Sequence, residues 1–124
     1  MKLSALRLFV HRLDRAADFY GSQLGLPLRL DGRAQGRCVF DLGSGIDLVV
    51  EAVAPDAGED EQALVGRHTG LSFAVADIQA TQQSMQARGV PFGSPPRRQD
   101  WGGWTTSFED PDGNALQLVQ HPVA

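Results

Sequence analysis

The sequence predicts an α+β fold: tandem βαβββ modules whose two curved mixed sheets form a cleft, with the helices outside. Three observations predict it. Residues 5–10 (ALRLFV) and 70–75 (GLSFAV) both alternate at period two and align Leu6 with Leu71, Leu8 with Phe73 and Val10 with Val75. Each is followed by a segment of helical periodicity that opens near an aspartate and closes on a glycine. Each half then ends in a hairpin, CVFDLGSGIDLVVE in the first and TSFEDPDGNALQLVQ in the second. The spacing of about 65 residues is too long for a solenoid repeat.

The elements follow in order. After the first strand, HRLDRAADFYGSQLG carries an apolar stripe of Leu13, Ala16, Ala17, Tyr20 and Leu24, with Asp14 as the capping residue and Gly25 as the C-cap. GLPL leads into the strands of the first hairpin, which turns at Gly43-Ser44-Gly45. Module one is therefore 1–52. Residues 53–68, rich in proline and acidic residues, are expected to link it to module two at 69–121. There, ADIQATQQSMQARG forms the second helix, capped by Asp77 and closed at Gly89, with a thinner stripe of Ile78, Thr81 and Met85. GVPF repeats GLPL, and 93–103 (GSPPRRQDWGG) is expected to be a long loop. In the last hairpin, Asp110-Pro111-Asp112-Gly113 supplies a turn residue at each position, so Asp110 and Asp112 are assigned to turn chemistry and expected to face water.

Composition excludes several classes. The net charge of −4 and the single basic doublet, Arg97-Arg98, leave no nucleic-acid footprint. Cys38 is alone, so no internal disulfide forms and a reducing compartment is expected. The first residues lack the apolar core of a secretion signal, and the longest apolar run, IDLVVEAVA, is too short to span a bilayer. A cytoplasmic protein without membrane or nucleic-acid partners is the expectation. The excess of arginine over lysine hints at a bacterial source.

The tandem pattern, carried by LDRAADFYGSQLGLPL and FEDPDGNALQLV, resembles the vicinal oxygen chelate superfamily over essentially the whole chain. That group includes glyoxalase I, bleomycin resistance proteins, fosfomycin resistance enzymes, methylmalonyl-CoA epimerase and extradiol dioxygenases. The resemblance implies the fold rather than one reaction, because this fold hosts several chemistries. In members that use a metal, it implies ligands on the first and last strands of each module. The matching positions here are Ala5, Asp47, Gly70 and Gln117. Ala and Gly offer no donor, Gln is a weak one, and softer divalent ions favour imidazole or thiolate. His68, two residues before Gly70, is the one route to a rearranged site with Asp47; His11 and His121 are the remaining histidines.

Strand parity separates two faces. Leu6, Leu8, Val10, Leu48, Val50, Leu71, Phe73, Val75, Leu116 and Leu118 pack under the helices. The other parity carries Ala5, Arg7, Phe9, Asp47, Val49 and Glu51 in module one, and Gly70, Ser72, Ala74, Ala115, Gln117 and Val119 in module two. The resemblance implies that this mixed face lines the pocket. Trp101 and Trp104, in a glycine-rich stretch, are expected at its mouth, where flat ligands stack. The expected ligand-binding set is thus Arg7, Phe9, Asp47, Val49, Glu51, Ser72, Trp101, Trp104 and Gln117, with no catalytic residue assigned. The resulting reading is a metal-free small-molecule binding protein of the bleomycin-resistance type, sequestering a planar or amphipathic ligand as a homodimer without a cofactor. The alternatives are a superfamily enzyme (lyase, isomerase or dioxygenase-like) with a degenerate or relocated divalent metal site, its variant that works without a metal and uses Asp47 or Glu51 as general base, and a dimerisation module without a ligand.

Overall fold

A computed structural model describes residues 1–123. The chain divides into two compact units, one comprising residues 1–67 with 111–114, the other residues 68–110 with the segment from Ala115 onward. In the first unit β1 (Ala5–Val10) precedes α1 (Leu13–Asp18), and β2 (Leu28–Gly32), β3 (Arg37–Asp41) and β4 (Asp47–Ala52) follow. These strands form one sheet in the order β1-β4-β3-β2, with β1 parallel to β4 and the other pairs antiparallel. In the second unit β5 (His68–Ala74) precedes α3 (Ile78–Ala87), and β6 (Arg97–Arg98), β7 (Trp104–Glu109) and β8 (Ala115–Gln120) complete a sheet in the order β5-β8-β7-β6. Identical strand order and the same single parallel pair in both sheets make the predicted repeat a repeat of topology.

The core follows the predicted parity in part: Leu8, Val10, Leu48, Val50, Leu116 and Leu118 are buried, whereas Leu6, Leu71, Phe73 and Val75 are half-buried and Val119 of the opposite parity is buried. In the first unit Leu8, Val10, Leu48 and Val50 are buried beneath α1, with Cys38 and Phe40 from β3. The helix meets them differently from the expected stripe. After Asp18 it widens into a π turn over Phe19–Gln23, in which the Leu24 N–H reaches back five residues to the Phe19 carbonyl at 2.8 Å. Ala16, Phe19 and Tyr20, at i, i+3 and i+4, are the buried residues, while Leu13, Ala17 and Leu24 are only half-buried. Phe19 and Tyr20 pack edge to face at 5.0 Å, and Tyr20 lies 6.1 Å from Phe40. Burying such side chains stabilises the fold by about 1.5–3 kcal/mol each. Burial also pushes the Cys38 thiol pKa up, with the Asp31 carboxylate adding to the effect.

The caps divide. Asp77 caps α3 as expected, its carboxylate accepting from the Ala80 N–H at 3.0 Å. Asp14 does not cap α1: it lies within the first turn, and its carboxylate accepts from Arg33 at 3.2 Å. Gly25 and Gly89 close their helices at φ 81° and 92°, the left-handed conformation a C-cap needs. The stripe of α3 is Ile78, Gln82 and Met85; Gln82 is tolerated inside because its amide donates to the Ser94 carbonyl at 2.8 Å and the Thr106 hydroxyl at 3.3 Å.

Residues 53–67 pack with the first unit, where α2 (Glu59–Gln62) forms, Val53 is buried and Val65 bridges to Phe9. The expected long loop at 93–103 contains β6, whose two residues pair with Thr105 and Trp104. Among the described residues no helix is long and apolar enough to cross a membrane.

The turn before β8 is more than a turn. Asp110 is buried at 4 % exposure rather than facing water, and Asp112 accepts from the Arg12 N–H at 3.5 Å. Asn114, 1 % exposed, accepts from the N–H groups of Gly66 at 3.0 Å and Arg67 at 3.2 Å and donates to the Phe9 carbonyl at 2.9 Å. One amide thus satisfies three backbone groups of the first unit. Replacing Asn114 by Ala leaves them without that partner, and unfolding free energy should fall by about 2–4 kcal/mol. Chemical denaturation checks this, and a loss below about 0.5 kcal/mol would show that those groups find other partners.

Candidate functional site

The open face of the first sheet is built by β1, β4 and β3 in unbroken register. Ala5 stands beside Asp47, Arg7 beside Val49 and Phe9 beside Glu51; across β4, Asp41 opposes Asp47, Val39 opposes Val49 and Arg37 opposes Glu51. Five predicted site residues, Arg7, Phe9, Asp47, Val49 and Glu51, therefore share one face. Arg7 grips Glu51 through two bonds, Nε to Oε1 at 2.8 Å and Nη2 to Oε2 at 2.9 Å, with its guanidinium carbon 5.1 Å from the centre of the Phe9 ring. Those bonds hold the Glu51 carboxyl below the usual carboxylate range and raise the Arg7 pKa.

Arg29 is the residue of this face that sequence reasoning missed. Leu28 pairs with Phe40 and Leu30 with Val39, so Arg29 is an extra residue in a β-bulge. From there its Nε donates to Asp47 Oδ1 at 2.8 Å, and its Nη2 lies 3.5 Å from Asp41 Oδ1. The available signal was indirect: two carboxylates opposite each other on one face call for a cation nearby. Every anionic side chain predicted for this face thus has an arginine partner. Asp47 was the one strong donor in the metal-ligand set that the resemblance implied, and it already holds a guanidinium. Ala5 and Gly70 carry no donor atom. Among the described residues no three of His, Cys, Asp and Glu group so as to hold a metal ion. The residues present therefore fit a transition metal poorly. His11, instead of joining the face, sits with Nδ1 3.3 Å from the Val53 carbonyl.

The open face of the second sheet carries different chemistry. Ser72 and Ser107 flank Gln117, Ala74 and Thr105 flank Val119, Glu109 stands beside Ala115 and Arg97 beside Thr105. Gln117 Nε2 donates to Ser72 Oγ at 2.5 Å. His68 opens β5, but its displacement from Ser72 does not follow simple strand spacing. His68 pairs with Ala115 and Ser72 with Gln117, so four residues of β5 oppose two of β8. Gly70, at φ 74°, allows that arch.

The tryptophans lie elsewhere than expected. Trp104 shares the helix-side face with Thr106 and Phe108, not the face of Ser72 and Gln117. It lines a separate recess of about 450 Å³ with Asp77, Pro95, Pro96 and Gln120. Trp101 covers Gly103, where a Cβ would overlap its ring, and lies 6.1 Å from the His121 ring.

The family model described as Glyoxalase/Bleomycin resistance protein/Dioxygenase superfamily matches residues 2–118. The chain is 31 % identical to the uncharacterized protein YraH of Bacillus subtilis (strain 168), covering 97 % of this chain and 98 % of that one. A crystal structure of a member of the same superfamily from Sphaerobacter thermophilus DSM 20745 is similar at TM-score 0.81 and 28 % identity, with 98 % of each chain covered. TnmS3, an antibiotic binding protein from Streptomyces sp. CB03234, is similar at TM-score 0.76 and 26 % identity, covering 98 % of this chain and 96 % of that one.

The Arg7–Glu51 pair predicts a pH signature. Because the folded Glu51 pKa is depressed, its contribution to stability is present above the unfolded value of 4.5 and is lost as pH falls through the folded value. The difference in melting temperature between the wild type and Glu51→Gln should therefore be largest near pH 6 and shrink towards zero below pH 4.5. A difference that stays constant down to the acid limit of folding would mean that the pair adds nothing.

Proposed function

The chain belongs to the Glyoxalase/Bleomycin resistance protein/Dioxygenase superfamily, and from that premise we propose that it is a metal-free small-molecule binding protein of the bleomycin-resistance type. It takes up a planar or amphipathic ligand on the open faces of its sheets, acts in the cytoplasm and assembles as a homodimer. One observation carries this reading: Arg29 occupies Asp47, so the one strong donor of the implied metal set is engaged. A metal ion at Asp47 would have to share that carboxylate with a guanidinium and would find no second anionic donor at Ala5, Gly70 or Gln117.

The face that remains suits binding. Its charges are fixed in pairs, Arg7 with Glu51 and Arg29 with Asp47, while Phe9, Val39 and Val49 form apolar wall between them. Fixed polar groups set in apolar wall orient a ligand without having to move when it arrives. The likeness to an antibiotic binding protein at 26 % identity supports the same reading. Homodimerisation would give the half-exposed Leu28 and Leu30, on the outer strand β2, a partner surface.

Two measurements on the purified protein test this together. Elemental analysis after mild purification should find zinc, nickel, iron and manganese far below one equivalent per chain. Planar aromatic compounds should raise the melting temperature saturably, and Arg7→Ala, which frees Glu51 and uncovers Phe9, should weaken that effect by roughly tenfold. A near-stoichiometric transition metal that is lost on Asp47→Ala would overturn the proposal in favour of a metal enzyme.

A further inference from the structure

The two sheets share a topology but differ in one detail. In the first, β1 and β4 run in unbroken register from Ala5 to Val10. In the second, the corresponding strand β5 arches away from β8 between His68 and Ser72. The arch rests on Gly70. A Cβ there would meet nothing within 4 Å, so it is the φ of 74°, not crowding, that calls for glycine. Beneath the arch lies a recess of about 220 Å³, lined among others by His68, Ser72, Ser107, Leu116 and Gln117. An apolar cavity of about 150 Å³ takes a benzene molecule, so this recess has room for a substituted six-membered ring.

The chemistry of the lining is specific. No Asp, Glu, Lys or Arg lines the recess. The nearest charges on the same face are the Glu109 carboxylate, beside Ala115, and the Arg97 guanidinium, one strand pair further along. The polar groups are hydroxyls, an imidazole and a primary amide. Gln117 and Ser72 hold each other, which leaves the second side of the amide and the hydroxyl for a ligand, and the Ser107 hydroxyl faces them from β7. Such a set both donates and accepts. A carboxylate or phosphate entering it would shed water and meet no cation, with Glu109 nearby opposing it. A neutral hydroxyl would find partners for both its hydrogen and its lone pairs.

We propose that the recess under the Gly70 arch is the subsite that selects the ligand, and that it takes the neutral hydroxyl of a phenol and rejects anions. This rests on the reading of the protein as a small-molecule binder and names the ligand class for it. Gln117 is the specificity-determining residue, held in place by Ser72.

Three probes with one ring system separate the outcomes: naphthalene, 2-naphthol and 2-naphthoate, titrated into the full chain at pH 7 and followed by probe fluorescence. The expected order is 2-naphthol tightest, about tenfold tighter than naphthalene as one good neutral hydrogen-bonded group allows, and 2-naphthoate weakest. Gln117→Leu should erase the advantage of 2-naphthol while naphthalene binding persists, which also shows that the variant folds. Ser107→Ala should reduce the same advantage partially. Equal affinities for naphthalene and 2-naphthol, a preference for 2-naphthoate, or an unchanged advantage in Gln117→Leu would overturn the subsite while leaving the binding function standing. Failure of all three probes to bind the wild type would overturn the binding function and the subsite with it.

Discussion

A four-stranded sheet covered by one helix has two chemically different faces, and the rest of this protein depends on that constraint. In the first sheet one face buries Leu8, Val10, Leu48 and Val50 under α1. The same strands must then turn Arg7, Phe9, Asp47 and Glu51 the other way, because successive side chains alternate. The charged groups of this face keep contact with water and also pair with one another: Arg7 with Glu51, Arg29 with Asp47. The same pairing sets a guanidinium against each anionic side chain predicted for the face.

The second sheet meets the same constraint differently. Its open face avoids charge at the centre and uses Ser72, Ser107 and Gln117, whose hydrogen bonds can be satisfied within the face or by a ligand. Its helix side is less apolar than that of the first sheet, and buried Gln82 needs Ser94 and Thr106 as partners. The two halves therefore keep one topology and divide the chemistry: compensated charge on one face, neutral polar groups on the other.

The fold was largely legible in the sequence because it rests on local signals. Period-two alternation fixed the strand faces, Asp77 and Gly89 bounded α3, and the two halves matched strand by strand. What was not legible depends on single-residue irregularities. The bulge at Arg29, the arch at Gly70 and the π turn after Asp18 each insert residues without breaking a hydrophobic pattern, yet each re-aims a side chain. Arg29 became a partner of Asp47 in this way. Trp104 was misplaced for a related reason: WTTSF alternates too weakly to show its parity, which only the pairing of Phe108 with Leu116 reveals. Asn114 gave no signal because its partners Phe9, Gly66 and Arg67 are distant in sequence. Of the nine residues expected to bind a ligand, Arg7, Phe9, Asp47, Val49 and Glu51 share the first open face. Ser72 and Gln117 lie together on the second, and the two tryptophans stand apart from them.

The central claim is that ligands meet the open sheet faces and not the helix sides. Chemical-shift mapping by NMR with bound 2-naphthol tests this directly, using backbone amides together with the Gln117 side-chain amide and the Arg7 Nε–H. The account predicts that the shifts concentrate on Arg7, Phe9, Val49, Ser72, Ser107 and Gln117. Shifts confined to α3, Pro95, Pro96 and the Trp104 indole, with the open faces silent, would contradict it.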